Sequence, residues 1–198
     1  MSNSQALKTK YRTNGFTAIK AAVDKLIAAD AQRHIKSKLI FIDDAAAMTK
    51  LGGTLPVNPT DQRGAKKAVD AIVASLAPDY VVLLDGPDVI PHIVLDNPVP
   101  NDLDDTVDSD LPYASDIGFS NQASRYLKIT RVVGRIPNVP NAKEPDKLIA
   151  LIGSKMEVFT VKGPANYRKA MKALGDADEH VVVMSRTIEA PSEIVAIR

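Results

Sequence analysis

The chain has 198 residues, 45% hydrophobic and 25% charged, which fits an ordinary globular protein of one domain, or one domain and the start of another. It has no cysteine, which excludes disulfides, thiolate metal sites and a cysteine nucleophile within these residues. Its net charge of +1 is unevenly spread: residues 1–78 carry twelve Lys/Arg against six Asp, residues 79–124 ten Asp and no Lys or Arg, and residues 125–198 thirteen Lys/Arg against eight acids. No basic stripe interleaves with aromatics, so nucleic acid is not an expected partner. The opening MSNSQALKTKYRTNG lacks the apolar segment of a secretion signal, and no apolar run has the length of a membrane span. Together these predict a cytoplasmic protein that does not bind membranes.

The first predicted element is a helix over 16–33, where Ile19, Ala22, Val23, Leu26 and Ile27 recur at helical spacing. KLIFIDD follows as a strand ending in Asp43 and Asp44. LGGTLPVNPTDQRG is punctuated as a loop. AKKAVDAIVASLA is a second amphipathic helix, with Ala68, Val69, Ile72 and Leu76 on one face and Pro78 as its stop. YVVLLDG is apolar on both faces, as a central parallel strand would be.

A Pro- and Asp-rich excursion occupies residues 86–124. YLKITRVVGRIP returns to strand, and EPDKLIALIGSKMEVF and PANYRKAMKALG read as helices. HVVVMS is a further strand. APSEIVAIR opens a helix with Ser192 as its cap. Alternating strands and helices predict an α/β fold built as a three-layer sandwich on a mainly parallel sheet. Residues 1–175 would form an N-terminal subdomain, and 176–198 the opening strand and helix of a second.

The stretch DLDDTVDSDLPYASD places six aspartates in fifteen residues. It is not an EF-hand, because Val107 stands where that loop needs Gly and no terminal Glu follows. Asp102, Asp104 and Asp105 sit in a polar run and are expected to be solvated. Asp108, Asp110 and Asp116 bracket LPY, whose Leu111 and Tyr113 would draw them inward. These three are the candidate ligands for a hard cation such as calcium, with the chain's own arginines as the competing partners.

Asp43, Asp44 and Asp85, at strand ends, match in spacing the acidic pocket of a receiver domain. The element order argues against it, since a receiver needs another strand and two helices between these acids, and capping is the favoured reading. His34, His92 and His180 lie far apart, outside ligand spacing, and read as surface or boundary residues. Gly134 in GRIP offers close backbone approach or positive φ as the strand exits, and Pro137 stops the pairing. Arg135 is placed to pair with an aspartate of the acidic segment.

The ordered motifs PDYVVLLDGPDVIP, DSDLPYASD and ITRVVGRIPN, followed by a helix, resemble the N-terminal part of gingipain-type cysteine peptidases, relatives of the caspases. The match spans about residues 70–160, on Asp85–Pro91, Ser109, Asp110, Tyr113, Gly134, Arg135 and Pro137, and departs from the usual Gly-Asp order in LLDGPD. In that family the catalytic His lies in a His-Gly step after a later strand, and the Cys follows the next strand; this sequence has neither, so no catalytic residue carries over. The resemblance implies a non-catalytic portion that supports a C-terminal catalytic half and meets peptide substrate through it. It also implies that SDLPY packs beside the main sheet and that calcium is a possible stabilising ion. The alternative is a non-enzymatic binding or regulatory module of the same fold.

Overall fold

The computed structural model describes residues 1–100 and 102–158, with side chains as far as Ser154, and the backbone of 182–184 and 194–196. The elements in chain order are α1 (Ser4–Gln32), α2 (Ala45–Lys50), α3 (Gln62–Leu76), β1 (Tyr80–Leu84), β2 (Ile93–Asp96), β3 (Thr106–Ser109), β4 (Val132–Ile136), α4 (Asp146–Val158), β5 (Val182–Met184) and β6 (Ile194–Ala196). Short 3-10 turns at Leu111–Ala114 and Ala123–Tyr126 interrupt the connection from β3 to β4. No described helix is long and apolar enough to cross a membrane. The chain divides into two compact units, Met1–Ile152 and Gly153–Arg198, so that the division falls within α4. The boundary expected at 175/176, the helix expected over 164–175 and His180 lie outside the described residues.

The first helix begins twelve residues earlier than its periodicity suggests. Asn3 caps it, accepting from the Ala6 amide at 2.9 Å. Asp43 reinforces the same end, accepting from Ser4 N at 2.7 Å, Ser4 Oγ at 2.8 Å and Gln5 N at 2.8 Å. Leu7 and Tyr11, one turn apart, enter the core. The helix breaks at Arg12, whose φ of 59° and ψ of 178° lie in a region that costs a non-Gly residue about 1–3 kcal/mol. α3 is capped by Asp61, which accepts from Val57 N at 2.9 Å and Gly64 N at 2.8 Å; these bonds hold its carboxyl below the usual carboxylate range. It ends at Ala77 in the left-handed region (φ 43°), just before Pro78.

β1 and β4 pair in parallel, from Tyr80 opposite Val132 to Leu84 opposite Ile136. Hydrogen bonds continue this parallel arrangement on the far side of β1. Met1 N donates to Val82 O at 2.5 Å, and Leu84 N donates to Met1 O at 2.9 Å. Ser2 then bridges to the next segment, with Ser2 N to Ile40 O at 3.1 Å and Ile42 N to Ser2 O at 2.9 Å. KLIFIDD is therefore not the full strand expected. It makes one bridge, Phe41 with Ser2, before Asp43 and Asp44 turn away to cap helices.

β2 and β3 form a separate antiparallel hairpin, and so do β5 and β6. The helix expected in APSEIVAIR is instead β6. Two helical turns are marginal alone, whereas the β-branched Ile194 and Val195 suit a strand that satisfies its backbone against Val182–Met184. The described residues thus show a mixed α/β chain with a small parallel sheet and two two-stranded hairpins, not one continuous sheet.

The core gathers Leu7, Tyr11 and Ile19 of α1, Ala68, Val69 and Ile72 of α3, Val81 and Leu83 of β1, and Ile90, Ile93, Tyr113, Tyr126, Leu148 and Ile152. β1 is less enclosed than its composition suggests. Val81 and Leu83 are buried, while Tyr80 and Val82 on its other face are 44% exposed.

Burial raises the pKa of Tyr11, Tyr113 and Tyr126 above the ordinary 10.0. Below pH 10 these phenols are neutral in both states and do not affect stability. Above it the unfolded chain ionises first, so stability falls as pH rises. Lys66 acts in the opposite direction, since burial lowers its pKa from 10.5, and stability rises with pH until the unfolded chain's lysine has also lost its proton. Beyond about pH 10.5 only the tyrosine effect remains. We predict cooperative alkaline unfolding in which the phenolate absorbance of these three of the five tyrosines appears together with loss of circular dichroism. Reversible ionisation of all five with the fold intact would contradict it.

Candidate functional site

Parallel sheets bind ligands outside the carboxyl ends of their strands, and the polar side chains of this unit meet at that end of β1. Asp85, the next residue, has no exposed surface and takes φ of 83°, a region uncommon for a non-Gly residue. Its Oδ1 accepts from Lys10 Nζ at 2.8 Å and from Gly86 N at 2.6 Å. Lys10, itself buried, also donates to Asp88 Oδ1 at 3.0 Å. Asp88 Oδ2 accepts from Asn141 N at 2.9 Å. Asn138 donates its amide to the Tyr11 hydroxyl at 2.8 Å. Asp85 Oδ2 is buried and makes no well-formed hydrogen bond among the described residues; after burial, the approach of this carboxylate to the Tyr11 hydroxyl is the next cause that holds that phenol protonated. A Cβ at Gly86 would lie 2.7 Å from Asn138 O and 2.9 Å from Asp88 Oδ1, so the turn closes only with glycine there.

Arg135 fills the neighbouring position. Its Nε and Nη2 bind the two oxygens of Asp110 at 2.7 and 2.6 Å. Its Nη1 donates to the carbonyls of Asp85 and Ile90, each at 2.9 Å. One guanidinium thus ties β4 to the DGPDVIP turn and to SDLPY. The Tyr113 hydroxyl adds a bond to Pro91 O at 2.7 Å. His92 Nε2 stands 3.9 Å from Asp110 Oδ2, on the solvent fringe of the group.

A further network, not foreseen from the sequence, lies beside it. Lys66, fully buried on α3, binds both oxygens of Asp70 at 2.6 and 2.5 Å and Ser115 O at 3.1 Å. Arg131 contacts the same Asp70 and donates to Tyr113 O at 2.6 Å and Ser115 O at 2.5 Å. The signal available in the sequence was the Lys66–Asp70 spacing of four on a helix otherwise read for its apolar face.

The three calcium candidates are not brought together. Asp110 is taken by Arg135. Asp108 lies exposed on β3, and Asp116 is exposed, acting on Lys66 only through its charge. Among the described residues no three acidic, histidine or cysteine side chains are grouped so as to hold a metal ion. Asp102, Asp104 and Asp105 are exposed, and hydrogen bonds from Asn97 and from the Asp104 and Leu103 amides lower the pKa of Asp102. The acidic pocket does not form either: Asp43 caps α1, Asp44 caps α2 through the Ala47 amide at 3.0 Å, and Asp85 is held by Lys10. Gly134 has neither role expected of it. It has no positive φ, and a Cβ there would meet nothing within 4 Å.

Chemically, the cluster matches its cations to carboxylates and directs its donors to main-chain carbonyls. That is the work of a brace rather than of a nucleophile or proton shuttle. A cleft of about 400 Å³ lies at the end of α1, lined by Ile27, Ala31, His34, Ile35, Lys36 and Ser37, none of which belongs to the cluster. Comparison of the chain with protein-family models, curated proteins and solved structures finds no match.

Proposed function

We propose that this chain is the non-catalytic lead-in portion of a gingipain-type cysteine peptidase, a three-layer α/β sandwich whose strand-end turns buttress a separate catalytic half during peptide hydrolysis. The supporting observation is Arg135. Its four hydrogen bonds join the three motifs on which the resemblance rests: GRIP, through its own backbone, SDLPY through Asp110, and DGPDVIP through the carbonyls of Asp85 and Ile90. The adjacent parallel segments 40–42, 1–2, β1 and β4 support the reading, since such a sandwich is built on a mainly parallel sheet.

In this reading the chain positions and the partner half cleaves. The chain alone has no thiolate to form an acyl-enzyme, so purified it leaves peptides with Arg, Lys or other residues at the cleaved position intact. The test pairs that assay with the reading frame that follows the codon of Arg198. A His-Gly step and then a Cys after an apolar strand, together with silence of the chain alone, would support the proposal. Turnover by the chain itself, resistant to serine- and metallopeptidase inhibitors, would overturn it. A frame with neither residue would leave the alternative, a binding or regulatory module of the same fold.

A further inference from the structure

The β2–β3 hairpin has one used edge and one open edge. Asn97 N donates to Asp105 O at 2.9 Å, which fixes the phase of the ladder. In the register Ile93–Ser109 to Asp96–Thr106, the groups of Asp105, Val107 and Ser109 then face β2, and those of Thr106 and Asp108 face outward. The outer edge of β2 confirms the phase, for Val94 N donates to Gln62 Oε1 at 3.0 Å and Asp96 N to Asn121 O at 2.7 Å. On the outer edge of β3, no hydrogen bond among the described residues reaches the main-chain groups of Thr106 or Asp108. Thr106, Val107 and Asp108 are all exposed.

We propose that this edge pairs with an extended, basic segment of a partner protein, which adds a strand beside β3. The charge selects the occupant. Asp96, Asp102, Asp104, Asp105 and Asp108 are exposed and form no ion pair with a described residue, and residues 79–124 contain no Lys or Arg to neutralise them. A second copy would bring a second set of these unpaired carboxylates to the shared edge, so self-pairing is repelled. A strand of alternating Lys and apolar residues sets its cations on the face that carries Asp108 and, across the ladder, Asp96, and its apolar side chains on the face of Val107. The inference is independent of the peptidase reading, since it uses neither Arg135 nor a catalytic half.

The probe is a fluorescein-labelled (Lys-Val)4 peptide titrated by anisotropy, with (Glu-Val)4 and a backbone N-methylated (Lys-Val)4 as comparisons. The basic peptide is expected to bind, the acidic one not, and N-methylation on one edge to weaken binding about tenfold. The combined Asp104→Asn, Asp105→Asn and Asp108→Asn variant should lose binding at least about tenfold, while Asp116→Asn leaves it unchanged. Amide exchange adds the location: Thr106 and Asp108 should exchange rapidly in the free chain and slow in the complex. Equal binding of the N-methylated peptide, no binding by any peptide, or protection of both amides in the free chain would each overturn the proposal.

Discussion

Lys10→Met is expected to cost about 3–5 kcal/mol of unfolding free energy, the range found when one member of a buried ion pair is removed. Asp85 has no exposed surface, and among the described residues its other well-formed hydrogen bond is from the Gly86 amide to the same oxygen. Without Lys10 the carboxylate would remain buried with its cation gone and Asp88 unopposed beside it. Domains of this size are stabilised by about 5–15 kcal/mol, so the loss would be visible as a large drop in urea midpoint. The double variant Lys10→Met/Asp85→Asn should recover part of it, because the uncompensated charge is gone. Equal stability of the single and double variants would show that the cost comes from lost packing of the lysine stem and not from the stranded carboxylate.

That ion pair joins residues 75 positions apart, which explains why it could not be read from the sequence. Elements with a strong local signal were legible. α3 has its periodicity and its Pro78 stop, although its Asp61 cap and first residues were read as loop, and β1 has its uninterrupted YVVLL. The first twelve residues of α1 were missed although Asn3 and the Leu7/Tyr11 spacing were there, because Lys8, Lys10 and Arg12 mask a narrow apolar stripe. APSEIVAIR failed in the other direction. Ser192 and three apolar residues satisfy a helix template, and only pairing with 182–184 decides for strand. Among the site residues, the pairing of Arg135 with the acidic segment was legible from charge alone, as the segment has no cation of its own. Which aspartate it takes was not, since that depends on the hairpin and the 3-10 turn that follows it. The sorting of inner from outer aspartates failed for Asp108 and Asp116, because Leu111 stays exposed and the buried Tyr113 draws in only Asp110.

Arg135 carries the last expected result. Its planar fork makes four bonds in different directions, two to a carboxylate and two to carbonyls on either side of the 86–90 turn. A lysine has the charge but not the geometry, and cannot reach Asp110 and both carbonyls at once. Arg135→Lys should therefore lose about 2 kcal/mol, and Arg135→Met about 3–5 kcal/mol, since it also strands two carbonyls and a carboxylate. Asp110→Asn should cost less, about 1 kcal/mol, because Asp110 is 28% exposed and water replaces part of what it gives up. This ordering distinguishes a brace from a simple ion pair. If Asp110→Asn and Arg135→Met cost the same, the salt bridge is the whole interaction and the carbonyl bonds contribute nothing. If Arg135 costs more, the surplus belongs to the DGPDVIP turn. Amide exchange should then accelerate at Val89 and Ile90, whose amides both donate to Gly86 O, in the Arg135 variants and not in Asp110→Asn.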